Sequence, residues 1–213
     1  MIDTGEFPPR NDGFLNNLKA FFAASNPSVF VSKILLTHGH HDHIGGVPDV
    51  VKYLTSRQPA APQVFKMMDG NRFETSAFEK DPTMGPEVAN PQIPICHINE
   101  GDKFDLKSEA PNIPELSLRA LYTPGHISDH MSFLLEGAPE TVLFSGDIIL
   151  GSPSTVLQDF PTYMETLYSL RKVQFDKVCV PHSVSLQFEG MADEEIDAQF
   201  MMDGHPKLEA YIQ

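Results

Sequence analysis

The chain has 213 residues, enough for one domain or one domain with a small appendage, and 41% of them are hydrophobic, enough for an ordinary buried core. A formal net charge of −14 argues against a broad phosphate-binding surface, because non-specific nucleic-acid affinity rests on lysine and arginine. No apolar run approaches the ~18–20 residues of a membrane span, so no membrane partner is expected. The start, Met1-Ile2-Asp3-Thr4-Gly5, has no signal- or transit-peptide character. Cys96 and Cys179 are far apart in sequence and read as two buried reduced thiols, which suits a reducing, intracellular compartment.

Met1 to Gly5 reads as the end of a strand running into a turn. Asp12 to Ala24 is predicted helical, because Phe14, Leu15, Leu18, Phe21 and Phe22 recur at helical spacing and Asp12 can cap. Lys33 to Leu36 is a short apolar strand. Val47 to Thr55 is a second helix, with Pro48 in its first turn and Val50, Val51 and Leu54 facing inward. Gln63 to Met67 is a strand after a proline-containing link, and Asp69 to Pro94 is loop-like in composition. Lys103 to Leu106, Leu116 to Tyr122, His130 to Leu135 and Thr141 to Ser145 are predicted strands. Pro161 to Leu170 is a helix opened by proline, and Lys177 to Val180 is a last strand. The tail from Ala192 is acidic and then helical. Alternating strands and helices imply layered α/β packing.

The chemistry concentrates in Thr37-His38-Gly39-His40-His41-Asp42-His43-Ile44-Gly45-Gly46. His38, His40, Asp42 and His43 fall within six residues, directly after an apolar strand, where a tight loop can turn several side chains to one point. Imidazole nitrogens and carboxylate oxygens are zinc ligands. His126 in Tyr-Thr-Pro-Gly-His, Asp147 in Phe-Ser-Gly-Asp and His182 in Val-Pro-His each follow a predicted strand. Loops at strand ends gather on one edge of a sheet, where sites of α/β folds usually lie. His41, between ligands, is expected to face solvent. His130, beside Asp129, is expected to be structural or to support a ligand, and His97 and His205 have no motif around them.

These motifs resemble the metallo-β-lactamase superfamily over nearly the whole chain. Tyr122 to Leu150, with its Asp-His-Met and Gly-Asp-Ile-Ile-Leu-Gly, resembles the beta-lactamase-like protein 2 group and related thioesterase-like members. The resemblance implies an α/β fold, the αββα sandwich, lacking the strands that in the family precede Asp-Thr-Gly, with residues 1–190 forming the domain and 191–213 a C-terminal helical tail. It implies two zinc ions: His38, His40 and His126 on the first, Asp42, His43 and His182 on the second, and Asp147 bridging both. Asp3, in the Asp-Thr-Gly, would support a ligand. The family's usual Gly-His-Gly is Pro181-His182-Ser183 here.

The implied chemistry is hydrolysis by a zinc-bridging hydroxide, with Asp42 as the catalytic residue that orients it. The implied substrate is single-stranded RNA, as for an endoribonuclease of the beta-lactamase-like protein 2 type. A small-molecule thioester is the alternative, as in glyoxalase II-like or polyketide-releasing relatives, and a degenerate, non-catalytic metal-binding protein is a third. Two bound zinc ions would bring the net charge to about −10 and make the site locally positive. By resemblance the compartment is mitochondrial, or else cytoplasmic. Absent N-terminal strands would leave the Lys33 to Leu36 strand with unpaired backbone, so a homodimer through that edge, or poor solubility, is expected.

Overall fold

The computed structural model describes residues 1–68, 93–106, 115–150, 155–182 and, for the backbone, 201–203. Two compact units divide at Ile98 and Asn99. Among the described residues no helix is long and apolar enough to cross a membrane.

The first unit carries α1 (Asp12–Ala24), β1 (Lys33–Leu36), α2 (His41–Ile44), α3 (Val47–Arg57), β2 (Gln63–Lys66) and β3 (Ile95–His97). Its three strands lie in the order β1-β2-β3, all parallel. Parallel strands covered on both faces need a continuous apolar run rather than an alternating one. Ile34, Leu35 and Leu36 supply it and are all buried. Val47, Val50 and Leu54 recur along one face of α3 and join Ile34, Leu36, Ile44, Val64 and Phe22 of α1 in one core. Helix α3 opens with Pro48 in its first turn, as expected. Asp12 is the first helical residue of α1 and Asn11 its cap, against the expectation of an Asp12 cap. The Asn11 amide nitrogen is instead spent on Asp49, at 2.9 Å.

The outer edge of β1 is not bare. Leu35 N donates to Met1 O at 2.9 Å and Asp3 N to Leu35 O at 2.9 Å, so the first three residues run parallel beside the strand. The unpaired backbone expected there is satisfied by this segment, which also ties Asp3 to the end of β1.

The second unit holds β4 (Lys103–Leu106), β5 (Leu116–Tyr122), β6 (Met131–Glu136), β7 (Val142–Phe144), α4 (Phe160–Leu170), β8 (Lys177–Cys179) and β9 (Met201–Asp203), and its strands form one sheet in the order β4-β5-β6-β7-β8-β9. Leu121, Leu134, Leu143, Tyr163, Leu167, Leu170 and Val178 form its core. Burying a side chain such as Leu167 fully stabilises by about 1.5–3 kcal/mol. Helix α4 starts where Asp159 accepts the Thr162 amide at 3.1 Å and Pro161 occupies the first turn. Strands β5, β7 and β8 point the same way, since β6 is antiparallel to both β5 and β7 while β8 is parallel to β7. Their C-terminal ends therefore lie at one edge of the sheet, and the start of β6 joins them there.

The helical tail expected from Ala192 is not helical at 201–203. These residues pair antiparallel with β8, Cys179 opposite Met201, where the outer edge of β8 would otherwise lack ladder partners. The rest of the tail, the loop at 69–92, Ser183, His205 and the acidic run from Asp193 lie outside the described residues. The cysteines are free and half-buried rather than fully buried, and burial pushes the Cys179 thiol above its ordinary value, which disfavours the nucleophilic thiolate.

Candidate metal centre

In the first unit the ligand candidates sit where β1 runs out. Thr37 and His38 follow Leu36 directly, and both are buried. His40 caps α2, a single turn closed by His43 N and Ile44 N on His40 O, each at 3.1 Å. That turn brings His43 back beneath the loop. The two glycines after it allow the close approach of the N-terminal segment. A Cβ on Gly46 would lie 2.2 Å from Thr4 O, and Gly46 N donates to Gly5 O at 3.0 Å.

The side chains form a network with one possible sense. The Asp3 carboxylate can only accept. Its Oδ1 takes the Thr37 amide at 2.8 Å, and its Oδ2 takes the Thr37 hydroxyl and His43 Nδ1, each at 2.8 Å. With its own proton on Asp3, Thr37 Oγ1 accepts from His38 Nδ1 at 3.0 Å. His38 and His43 therefore both carry the proton on Nδ1, and the lone pair of each ring is on Nε2. His38 Nε2 lies 2.9 Å from His40 Nδ1, and His43 Nε2 lies 3.8 Å from an Asp42 oxygen. Asp3 has a backbone φ of +52°, unusual for a residue other than glycine, and this conformation accompanies its three-way grip. Asp3→Ala is expected to weaken metal binding by about 10- to 100-fold, the usual cost of losing a group that orients a ligating histidine. Competition against a chromogenic chelator would measure it, and an unchanged affinity would mean that the network does not orient the rings.

In the second unit the loops after β5, β7 and β8 supply His126, Asp147 and His182. Asp147 lies in a 3-10 turn, Gly146–Ile148, and is buried. Its Oδ2 stands 3.4 Å from His126 Nε2 and its Oδ1 3.4 Å from His182 Nε2. One carboxylate thus faces two imidazoles through different oxygens. His126 Nδ1 donates to Val156 O at 2.6 Å, which again leaves the lone pair on Nε2. Val156, whose carbonyl takes this bond, has an exposed apolar side chain.

Of the residues singled out as metal ligands, His38, His40, Asp42 and His43 lie in the first unit and His126, Asp147 and His182 in the second. The donor types suit zinc, and three rings are held in the tautomer that presents Nε2. His41 turns away from them, its Nδ1 2.9 Å from Glu6 and its ring edge-on to Phe7. His97 Nδ1 accepts the Met68 amide at 3.0 Å. His130 is fully buried and bonded to the Asp147 amide. Thr155 and the Val156 carbonyl, which hold His126 and Asp147, went unmarked in the sequence. A main-chain acceptor carries no residue-type signal, and Thr155 has no motif around it.

The chain matches the metallo-β-lactamase superfamily over residues 1–182. It is 35% identical to lactamase-like protein nscB of Aspergillus fumigatus over 173 residues, which are 81% of this chain and 41% of that protein. It is 34% identical to lactamase-like protein adaB of Aspergillus niger over 137 residues, 64% of this chain and 32% of that one. The beta-lactamase-like protein 2 homolog of Caenorhabditis elegans is 26% identical over 182 residues, 85% and 51% of the two chains. The chain thus spans about a third to a half of the length of these relatives. Among solved structures, a metallo-β-lactamase family protein of Thermus thermophilus superposes with a TM-score of 0.63 at 18% identity, covering 99% of this chain and 68% of that one. A superfamily protein of Sulfolobus tokodaii gives 0.59 at 19%, covering 100% and 73%; both likenesses speak to the fold alone. The chain belongs to the metallo-β-lactamase superfamily, whose members are generally metal-dependent hydrolases, and it has the mixed α/β fold of that family.

Proposed function

We propose that this chain hydrolyses an acyl thioester or ester with the help of two zinc ions held by His38, His40, Asp42, His43, His126, Asp147 and His182. Membership of the family supports the two-ion assignment. The observation that carries the reading is the tautomer control in each unit: hydrogen bonds fix His38, His43 and His126 with the proton on Nδ1, an arrangement suited to ligation through Nε2. Bound zinc supplies a water of pKa about 7 and a Lewis acid for the scissile carbonyl. Asp42, half-exposed beside buried His43, is the carboxylate suited to orient the attacking water. The charge of −14 disfavours a polyanion, and the exposed apolar side chain of Val156, whose carbonyl accepts from His126 Nδ1, favours a small apolar acyl substrate.

A second reading, single-stranded endoribonuclease, draws on the similarity to the beta-lactamase-like protein 2 homolog. A substrate panel separates the two. Zinc-loaded protein is expected to cleave thioesters in a chelator-sensitive manner, faster for apolar acyl chains, and to leave a single-stranded RNA oligonucleotide intact. RNA cleavage with thioesters untouched would replace the first reading by the second. Bound zinc with neither activity would favour a non-catalytic metal-binding protein.

A further inference from the structure

We propose that His130 is a positioning residue: its imidazole fixes the main chain of Asp147, so that the carboxylate is set to meet two metal ions. The inference rests on the reading of Asp147 as the shared ligand. Asp147 follows β7 by three residues, and its amide has left the strand ladder. A buried amide needs an acceptor. His130 Nε2, immediately before β6 on the same sheet edge, accepts it at 2.9 Å. A ring nitrogen that accepts carries no proton, so the His130 proton is on Nδ1 and is donated to Thr123 Oγ1 at 2.8 Å. Thr123 then donates to Ser132 Oγ at 2.9 Å, and Ser132 to Ser145 O at 2.9 Å.

Both ends of this chain have a fixed polarity, an amide N–H at one and a carbonyl at the other. Every bond between them therefore runs in one direction. Thr123, His130, Ser132 and Ser145 are all buried, so water does not compete for these positions. The other side of Asp147 is held as well. Thr155 Oγ1 donates to Asp147 O at 2.6 Å and lies 3.1 Å from His126 Nδ1. Asp147, which faces both His126 and His182, thus has its amide and its carbonyl each bonded to a side chain. A ligand that must present two oxygens to two ions tolerates little rotation, and the His130 bond limits it. The Asp-His of the sequence motif, unused by the ligand assignment, acquires a purpose in this way.

Cobalt(II) titrations, read by visible absorption and by chelator competition, test this alongside the melting temperature of the metal-free protein. Asp147→Asn is expected to lose tight binding; if it binds cobalt like the unaltered chain, the ligand reading fails and the proposal with it. His130→Leu keeps the volume but removes the acceptor, and is expected to weaken cobalt binding by about 10- to 100-fold and to shift the absorption bands. His130→Gln, whose amide oxygen can reach the Asp147 N–H, is expected to recover most of the affinity and the bands. If His130→Leu does not fold, Thr123→Val serves, because it keeps the ring and removes the partner that fixes its tautomer; a loss of about tenfold is expected. A folded His130→Leu or Thr123→Val protein that melts lower but binds cobalt with unaltered affinity and spectrum would overturn the proposal, since a purely structural histidine predicts that result.

Discussion

Asp147→Ala is expected to cut hydrolysis by at least about 10³-fold, because withdrawing Lewis-acid stabilisation removes several kcal/mol and each 1.36 kcal/mol is tenfold in rate. His40→Ala should be comparably damaging. His41→Ala, one position along the same loop, should stay within about twofold, the range of a surface change. The contrast comes from the direction of the side chains. Asp147 is buried and has an oxygen 3.4 Å from each of two imidazoles. His40 Nδ1 is 2.9 Å from His38 Nε2, whereas His41 reaches out to Glu6. Elemental analysis gives a second readout: about two zinc ions in the unaltered chain and His41→Ala, and fewer in the other two. A His41→Ala protein as inactive as His40→Ala would show that the loop's ligands are misassigned.

The ligand candidates were legible in the sequence because each follows a recognisable strand, and the strands were legible because their apolar runs are regular. Ile34 to Leu36 reads as a buried strand, and the histidines come directly after it. Elements without internal periodicity were not visible. Ile95–His97 is three residues long and becomes a strand only because β2 offers it an edge. The α2 turn, His-Asp-His-Ile, has no apolar repeat, and forms where His40 O receives two amides. The supports of the site were the hardest to foresee. Thr123, His130 and Ser132 are joined by the register of β5 against β6, in which Tyr122 faces Met131. No spacing in the sequence announces that pairing, and the Val156 carbonyl would be the same acceptor under almost any side chain.

Gly125→Ala is expected to be strongly destabilising. Gly125 has φ +128°, a region that residues with a side chain rarely adopt, and a Cβ there would lie 2.4 Å from Tyr163 Cα and 2.6 Å from Tyr163 N. Those atoms belong to the first turn and a half of α4, so no side-chain rotation relieves the clash. The helix itself must move. It is also stitched to the same residue, since Gln158 N and Asp159 N both donate to Gly125 O at 3.0 Å. Backbone strain of about 1–3 kcal/mol and overpacking of about 1–3 kcal/mol together suggest a loss of about 3–4 kcal/mol. For a chain of this size that is a melting temperature lower by roughly 6–15 °C. Because His126 is the next residue and its Nδ1 depends on the Val156 carbonyl in the segment leading into α4, metal affinity should fall as well. Gly13→Ala is the matched control. It sits in α1 with nothing beyond its chain neighbours and its own helix backbone within 4 Å of the added methyl, so it should raise stability by about 0.5 kcal/mol through the unfolded chain. Thermal melts of the two variants, with and without zinc, decide the matter. A Gly125→Ala protein that melts with the Gly13→Ala control would mean that α4 can slide off Tyr163's present position at little cost, and that the Thr-Pro-Gly-His turn does not depend on it.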